Sequence, residues 1–255
     1  QQEQFILRDR YDLVEGLSGW NLNDTLRGSD NLAADMVGHE LDAAGIARIN
    51  GLSAQVNGAT SFTGGDILLG GSGSDTIEGR AGNDVIDGDA WLNVRLSVRT
   101  DPDDPATEIR SANTMQELQA DVFAGTINPG NIVIVREILA GSGGADTAVF
   151  SDVQANYTVT VNGDVTTVNH TGGTQTDGVD TLRNIENLQF SDGVAVAAPA
   201  APTAVTATAG NASAVVTFTA PANPRTPITG FTIEIQNAAG AAVGTQNVPA
   251  GVTQA

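Results

Sequence analysis

Between Ser61 and Asp87 the chain repeats itself every nine residues, and this period constrains its fold more than any other feature of the sequence. Aligned on aspartate, Ser61-Phe62-Thr63-Gly64-Gly65-Asp66-Ile67-Leu68-Leu69 is followed by Gly70-Gly71-Ser72-Gly73-Ser74-Asp75-Thr76-Ile77-Glu78 and then by Gly79-Arg80-Ala81-Gly82-Asn83-Asp84-Val85-Ile86-Asp87. The middle unit fits G-G-x-G-x-D-x-U-x, with U aliphatic, at every fixed position. Its neighbours keep glycine at position four, aspartate at position six and an aliphatic residue at position eight. Isolated Asp-Gly turns would not hold one register through three consecutive units.

Each position has a physical reason. The glycines permit positive φ, so a short loop can wrap its carbonyl oxygens inward, and the aspartate adds a hard anionic oxygen. The last three residues form a short strand whose central aliphatic, Leu68, Ile77 or Ile86, points inward. The units resemble the repeat-in-toxin, or hemolysin-type, calcium-binding family, whose repeats form a parallel β-roll. The resemblance implies calcium ions shared between stacked loops, because calcium takes six to eight oxygens and one loop supplies too few. A roll stacks every second unit, which places Asp66 with Asp84. Gly64, Gly73 and Gly82 are the matching loop glycines. Asp75 would then pair with a unit beginning at Gly88, whose sixth position is Asn93, so Asp89 is the expected substitute. From there Leu92, Val94, Leu96 and Val98 alternate with polar residues as a half-buried strand expected to cap the roll.

Two further units stand apart. Asn23-Asp24-Thr25-Leu26-Arg27-Gly28 resembles the end of a repeat, and Gly141-Ser142-Gly143-Gly144-Ala145-Asp146-Thr147-Ala148-Val149 keeps the glycine, aspartate and small apolar positions. Neither has a register partner nearby in sequence, so Asp24 and Asp146 are read equally as calcium ligands or as simple turns.

Composition agrees with a cation-binding chain and excludes other classes. The 255 residues carry 30 acids against 11 bases, a net charge of -19, which argues against nucleic acid because phosphate recognition requires positive charge. Clustered carboxylates repel one another unless a cation neutralises them. Cysteine is absent, which removes disulfides and thiolate chemistry. No apolar run reaches the roughly 18 to 20 residues of a membrane span. The opening Gln1-Gln2, without methionine or leader, and the close at Gln254-Ala255 suggest a piece of a longer chain.

Residues His39 to Ile49 read as a short helix with Leu41, Ala44 and Ile46 on one side. Thr114 to Glu117 forms a capping box opening a helix that presents Met115, Leu118 and Val122 to a core. Strands are expected at Ile132 to Leu139, Tyr157 to Val161 and Val165 to Asn169. The stretch from Asp180 to Gly193 resembles the β-rich segment that closes hemolysin-type repeat regions. The arrangement from about Phe5 to Gly193 looks like the region downstream of the catalytic domain in large bacterial haem peroxidases of the animal type, without that domain. Beyond a linker at 194–202, the segments 202–208, 214–221 and 228–235 resemble the first strands of a fibronectin type III domain, with Phe218 where tryptophan is usual. About 90 residues would be needed to complete such a sandwich, so the module is expected to be incomplete.

The expected fold class is therefore mainly β: a short parallel β-roll with inserted helices and a β-rich cap over 1–193, the linker, and a partial β-sandwich over 203–255. No catalytic group is expected. Ala43 stands where a zinc protease motif beginning at His39-Glu40 needs its second histidine, and His170 is expected to lie exposed in a hairpin. The expected role is a calcium-binding structural module of a secreted bacterial protein, exported by the type I route and folding outside the cell. The alternative is an extracellular adhesion, matrix or filament subunit that assembles with its own copies in calcium.

Overall fold

The computed structural model describes residues 14–141, 143–196, 202–211, 213–220, 230–236, 242–249 and 251. Its elements begin with β1 (Gly16–Ser18), β2 (Thr25–Arg27), α1 (Ala43–Ala47), α2 (Leu52–Gln55), β3 (Ile67–Leu69), β4 (Thr76–Glu78) and β5 (Val85–Asp87). They continue with β6 (Ala90–Arg99), β7 (Glu108–Ala112), α3 (Met115–Phe123), β8 (Ile132–Ala140), β9 (Thr147–Val149), β10 (Tyr157–Asn162), β11 (Val165–His170), β12 (Val179–Arg183), β13 (Asn187–Phe190) and β14 (Gly193–Val196). Last come β15 (Thr203–Ala209), β16 (Ala214–Thr219), β17 (Gly230–Gln236) and β18 (Ala242–Pro249). The fold is mainly β.

The centre is a two-sheet parallel roll. One sheet stacks β1, β3, β5 and β12 in parallel, and the other stacks β2, β4, β9 and β13. Position eight of each unit points between the sheets, because alternate residues of a strand face opposite sides. Leu68, Ile77, Ile86, Ala148, Leu182 and Leu188 accordingly form one buried core. The roll is longer than its contiguous repeats. Ile67 pairs with Val85, 18 residues on, but Thr76 pairs with Thr147, 71 residues on, an excess of 53. Gly16 pairs with Ile67 and Thr25 with Thr76, both at 51, an excess of 33 over 18. Insertions of these lengths leave the stack at loops and return to it in register.

The first insertion carries α1 and α2. Asp42 caps α1 by accepting the Gly45 amide at 2.7 Å, and Ile46, Leu52 and Val56 pack on the outward side chains Ile67, Leu69 and Val85. The second insertion is an antiparallel sheet, β7-β6-β8, with α3 against it and a core of Val98, Ala112, Leu118 and Ile127. The strand expected to cap the roll is thus the centre of this inserted sheet, since β6 pairs with β8 from Ala90 to Val98 and with β7 on its other edge. The capping box of Thr114 and Glu117 is present, and Leu118 is buried as expected. Met115 instead lies exposed, at the first position of α3, where the helix has only begun.

A third excursion, the hairpin β10–β11, extends the first sheet beside β12, while β14 extends the second beside β13. β14 takes up residues 194–196 of the expected linker, and 197–201 lie outside the described residues. His170 is not an exposed hairpin residue. Its side chain is fully buried and stacks on Tyr157 at 4.2 Å, with Nε2 3.4 Å from Asp152 Oδ2 and Nδ1 accepting the Asp177 amide at 3.3 Å. Tyr157 donates to Asp177 Oδ2 at 2.5 Å, which fastens the hairpin to the last loop of the roll.

Toward the C-terminus, β15 pairs with β16 and β17 with β18, all antiparallel. Phe218 of β16 is buried and meets Phe231 of β17 edge to face at 4.7 Å. Pro221, Ile228 and Thr229, which belong to the expected strands, lie outside the described residues.

Candidate metal centre

Position six of successive units forms two columns, one along each edge of the roll. Glu15, Asp66 and Asp84 precede strands of the first sheet and Asp180 precedes the part of β12 that pairs with β5, while Asp24, Asp75, Asp146 and Glu186 precede the strands of the second. The columns are knit by a repeated hydrogen bond, in which the side chains of Asp75, Asp84, Asp146, Asp180 and Glu186 accept the amide of the acidic residue one layer away. Asp24 N donates to Asp75 Oδ1, Asp66 N to Asp84 Oδ1 and Asp75 N to Asp146 Oδ1, each at 2.7 Å. Asp84 N donates to Asp180 Oδ1 at 2.8 Å and Asp146 N to Glu186 Oε2 at 2.7 Å. One carboxylate oxygen thus orders the stack.

The other oxygen faces the loop. Position-one glycines lie so close to it that a Cβ on Gly70 would stand 2.5 Å from Asp75 Oδ2, and one on Gly79 would strike Asp84 Oδ2. The same Cβ on Gly70 would strike the Gly88 carbonyl oxygen, and one on Gly28 would meet both Asp66 Oδ2, at 2.6 Å, and the Gly79 carbonyl. At Gly19, Gly28, Gly70 and Gly88 there is therefore a small cradle in which a carboxylate oxygen and a main-chain carbonyl converge. Ser29 N fills the role of donor to Asp66 Oδ2 at 2.6 Å. Asp75 Oδ2 and Asp84 Oδ2 are buried and accept no hydrogen bond. A buried anionic oxygen without a donor is costly, and a cation removes that cost.

The electrostatics agree. Burial raises the carboxyls of Asp66 and Asp75 above the ordinary range, and those of Asp84 and Asp146 to about 7. Asp180, almost wholly desolvated and beside Asp84, is raised well above it. In the metal-free chain these groups resist ionisation. A bound cation reverses that preference.

The residues fit calcium. The converging donors are all oxygens, which a hard cation requires. Among the described residues no three acidic or histidine side chains gather as a metal-binding group. An ion at these loops must therefore complete its shell with main-chain carbonyls, and the cradles hold carbonyls.

The structure brings Asp66 and Asp84 together as the spacing requires. It corrects the partner of Asp75, which is Asp146 on one side and Asp24 on the other, not Asp89 or Asn93. The chain leaves the roll at Gly88, so Asp89 and Asn93 never reach position six. Gly88 still serves as position one for Asp146, since a Cβ on it would strike Asp146 Oδ2. Asp24 and Asp146, which lack neighbours in sequence, have them in space. Gly64, Gly73 and Gly82 all have positive φ, and a Cβ on Gly82 would strike the Gly64 carbonyl oxygen. Asp180 and Glu186 join the columns without having been expected there. Gly178-Val179-Asp180-Thr181-Leu182 repeats glycine, aspartate and aliphatic at positions four, six and eight, a signal that would have found Asp180.

A family model of the RTX calcium-binding nonapeptide repeat (4 copies) matches residues 60–90. These repeats bind calcium. No curated protein and no solved structure matches the chain. The matched segment contains Asp66, Asp75 and Asp84, three of the four central rungs of the two columns. It is a calcium-binding structural module, and the insertions and the flanking turns lie outside the match.

Proposed function

We propose that the chain is a calcium-locked folding module of an exported bacterial protein, held open at low cytoplasmic calcium and closed around the ions outside the cell. The observation that carries this reading is the pair of buried, undonated oxygens, Asp75 Oδ2 and Asp84 Oδ2, in the middle of the two columns. Asp66 and Asp84 would hold calcium on one edge, and Asp75 with Asp24 and Asp146 on the other, with loop carbonyls completing each shell. Calcium supplies positive charge and oxygen-ligand cross-links between layers 18 residues apart or more, so its binding energy becomes folding energy. Among the described residues no helix is long and apolar enough to cross a membrane.

Catalysis has no place in this reading. His39 lies in a turn region beside Glu40, and His170 is occupied by Asp152, Asp177 and Tyr157. Any peroxidase activity would belong to a catalytic domain elsewhere in a parent protein. The strands β15 to β18 are read as the opening of a fibronectin type III-like sandwich.

Calcium titration followed by circular dichroism tests the proposal, with Asp75→Ala and Asp84→Ala alongside. Strand signal should rise with calcium and rise less in the variants. Equal folding in chelator would refute it. A second reading, calcium-dependent self-association as an adhesion or matrix subunit, is favoured by the exposed apolar residues Val205, Val215, Ile235 and Val243 on β15 to β18. Light scattering separates the two, because only self-association gives a mass that grows with calcium.

A further inference from the structure

The two tryptophans of the chain, Trp20 and Trp91, are 71 positions apart in sequence and line one groove of about 650 Å³. Trp20 occupies position two of the first loop, where the unit stacked on it has Gly71, and 63% of it is exposed. Trp91 stands at the start of β6, where the second insertion leaves the roll. Ser18, Gly19, Leu92, Asn93, Val94 and Asn113 complete the lining, and none of the lining residues is charged. Val94 is exposed, and the side-chain amide of Asn113 is exposed without a partner among the described residues.

This combination is selective. A metal ion would need carboxylates and an anion would need arginines, and the groove offers neither. Neighbouring ion pairs are already closed, since Arg95 binds Glu108 and Glu137 at 2.7 and 2.9 Å. An indole supplies a flat apolar face with one polar edge, and an amide supplies a donor and an acceptor together. The ligand that matches both is a pyranose, whose C–H face stacks on an aromatic ring while its hydroxyls ring the edge. A volume near 650 Å³ falls in the range of about 300–1,000 Å³ usual for small-molecule sites. The chain's net charge of -19 disfavours polyanionic glycans.

We propose that this groove binds a neutral oligosaccharide, with Trp20 and Trp91 as stacking platforms and Asn113 as a hydrogen-bonding contact. The site rests on the calcium reading, because the loop carrying Trp20 is a rung of the roll. Trp20 N donates to Asp24 Oδ2 at 3.2 Å, and its carbonyl accepts Ser72 N at 2.7 Å. Calcium that orders the loop would also set the position of the indole.

Both tryptophans lie in the groove, so the whole tryptophan emission of the protein reports on it. The calcium-loaded chain is titrated with cellohexaose, chitohexaose and laminarihexaose, and with an alginate hexamer for comparison. A saturable change with at least one neutral sugar is expected, weakened about tenfold or more in Trp20→Ala or Trp91→Ala and also in Asn113→Ala. Circular dichroism in calcium verifies the fold of each variant, and Trp91→Phe replaces Trp91→Ala if the latter does not fold. Silent tryptophans in a folded chain overturn the site. So do binding unchanged in the variants, preference for alginate, or a change that follows protein concentration instead of sugar. A chain that does not fold in calcium sinks the calcium reading and this one with it.

Discussion

Asp75 and Asp84 each carry two separable functions on their two oxygens. Oδ1 of Asp84 accepts the Asp66 amide and holds the layers in register, whereas Oδ2 is buried and undonated. Asp84→Asn keeps an acceptor for the first function and removes the charge from the second. Without metal, this variant should therefore be no less stable than the wild type, while its calcium-induced rise in melting temperature shrinks. Calorimetry in chelator and in calcium measures both, and a variant that responds fully to calcium would remove Asp84 from the site. Gly79→Ala attacks the same place sterically, since its Cβ strikes Asp84 Oδ2. A loss of about 1–3 kcal/mol is expected from overpacking, measured by denaturant unfolding. Gly130→Ala, which meets only Asn128 Oδ1 at 3.4 Å, should be nearly silent.

Protonation provides a further check at the same scale. Asp84 and Asp146 titrate near 7 in the folded metal-free chain, against an ordinary value of 3.8, chiefly through burial. Between those values the folded state binds more protons than the unfolded state, so stability falls as pH rises through 7. The metal-free chain should melt higher at about pH 5.5 than at about pH 7.5. Calcium competes with those protons, so its stabilising increment should be larger at the higher pH. Melting curves at the two pH values, with chelator and with calcium, would show the crossing. A metal-free fold that gains stability on raising the pH would contradict these burial-raised carboxyls.

At the scale of elements, sequence makes the repeats legible wherever they run without interruption. The contiguous units show Asp66, Asp75 and Asp84, and the spacing of 18 pairs the first with the last. The partners of Asp75 are not legible, because Asp24 and Asp146 lie 51 and 71 residues away across insertions whose own patterns are ordinary strands and helices. Periodicity measures distance along the chain, and an insertion resets it without disturbing the stack. The burial of His170 is hidden for a related reason: its partners Asp152 and Asp177 come from other loops. The spacing does supply a test. Removing Asp89 to Gly141, the 53 extra residues, leaves Gly88-Ser142-Gly143-Gly144-Ala145-Asp146-Thr147-Ala148-Val149, a nonapeptide with glycine at one and four and aspartate at six. The shortened chain should keep its calcium-induced strand signal in circular dichroism. It should lose some stability, since Ala90, Leu92 and Ile138 pack with α1 and α2, and Asn50 bridges to Glu137. Loss of the calcium response would mean that the inserted sheet belongs to the site.

Over the whole molecule, calcium links segments that are remote in sequence, so its effect should be cooperative and specific. The roll core joins Leu68, Ile77 and Ile86 to Ala148, Leu182 and Leu188, and Arg183 of the last turn donates to the Gln55 carbonyl at 3.0 Å. The inserted sheet has a separate core around Leu118. In chelator, the roll loops should be cut first in limited proteolysis and the β6–β8 segment with α3 last, because its apolar core needs no ion. A ligand that binds only the folded state stabilises by about 2.7 kcal/mol at a hundred times its Kd, and each further site adds its own increment. Two or more shared sites therefore predict a melting temperature that climbs with the logarithm of calcium at a slope greater than one site allows. Charge screening alone would also relieve a net charge of -19, but without regard to the ion's coordination. Sodium chloride at matched ionic strength, and magnesium, which prefers a rigid octahedral shell and releases its water reluctantly, should both reproduce little of the rise. Equal stabilisation by all three salts would reduce the columns to a screened cluster of carboxylates and leave the order of the loops without its cause.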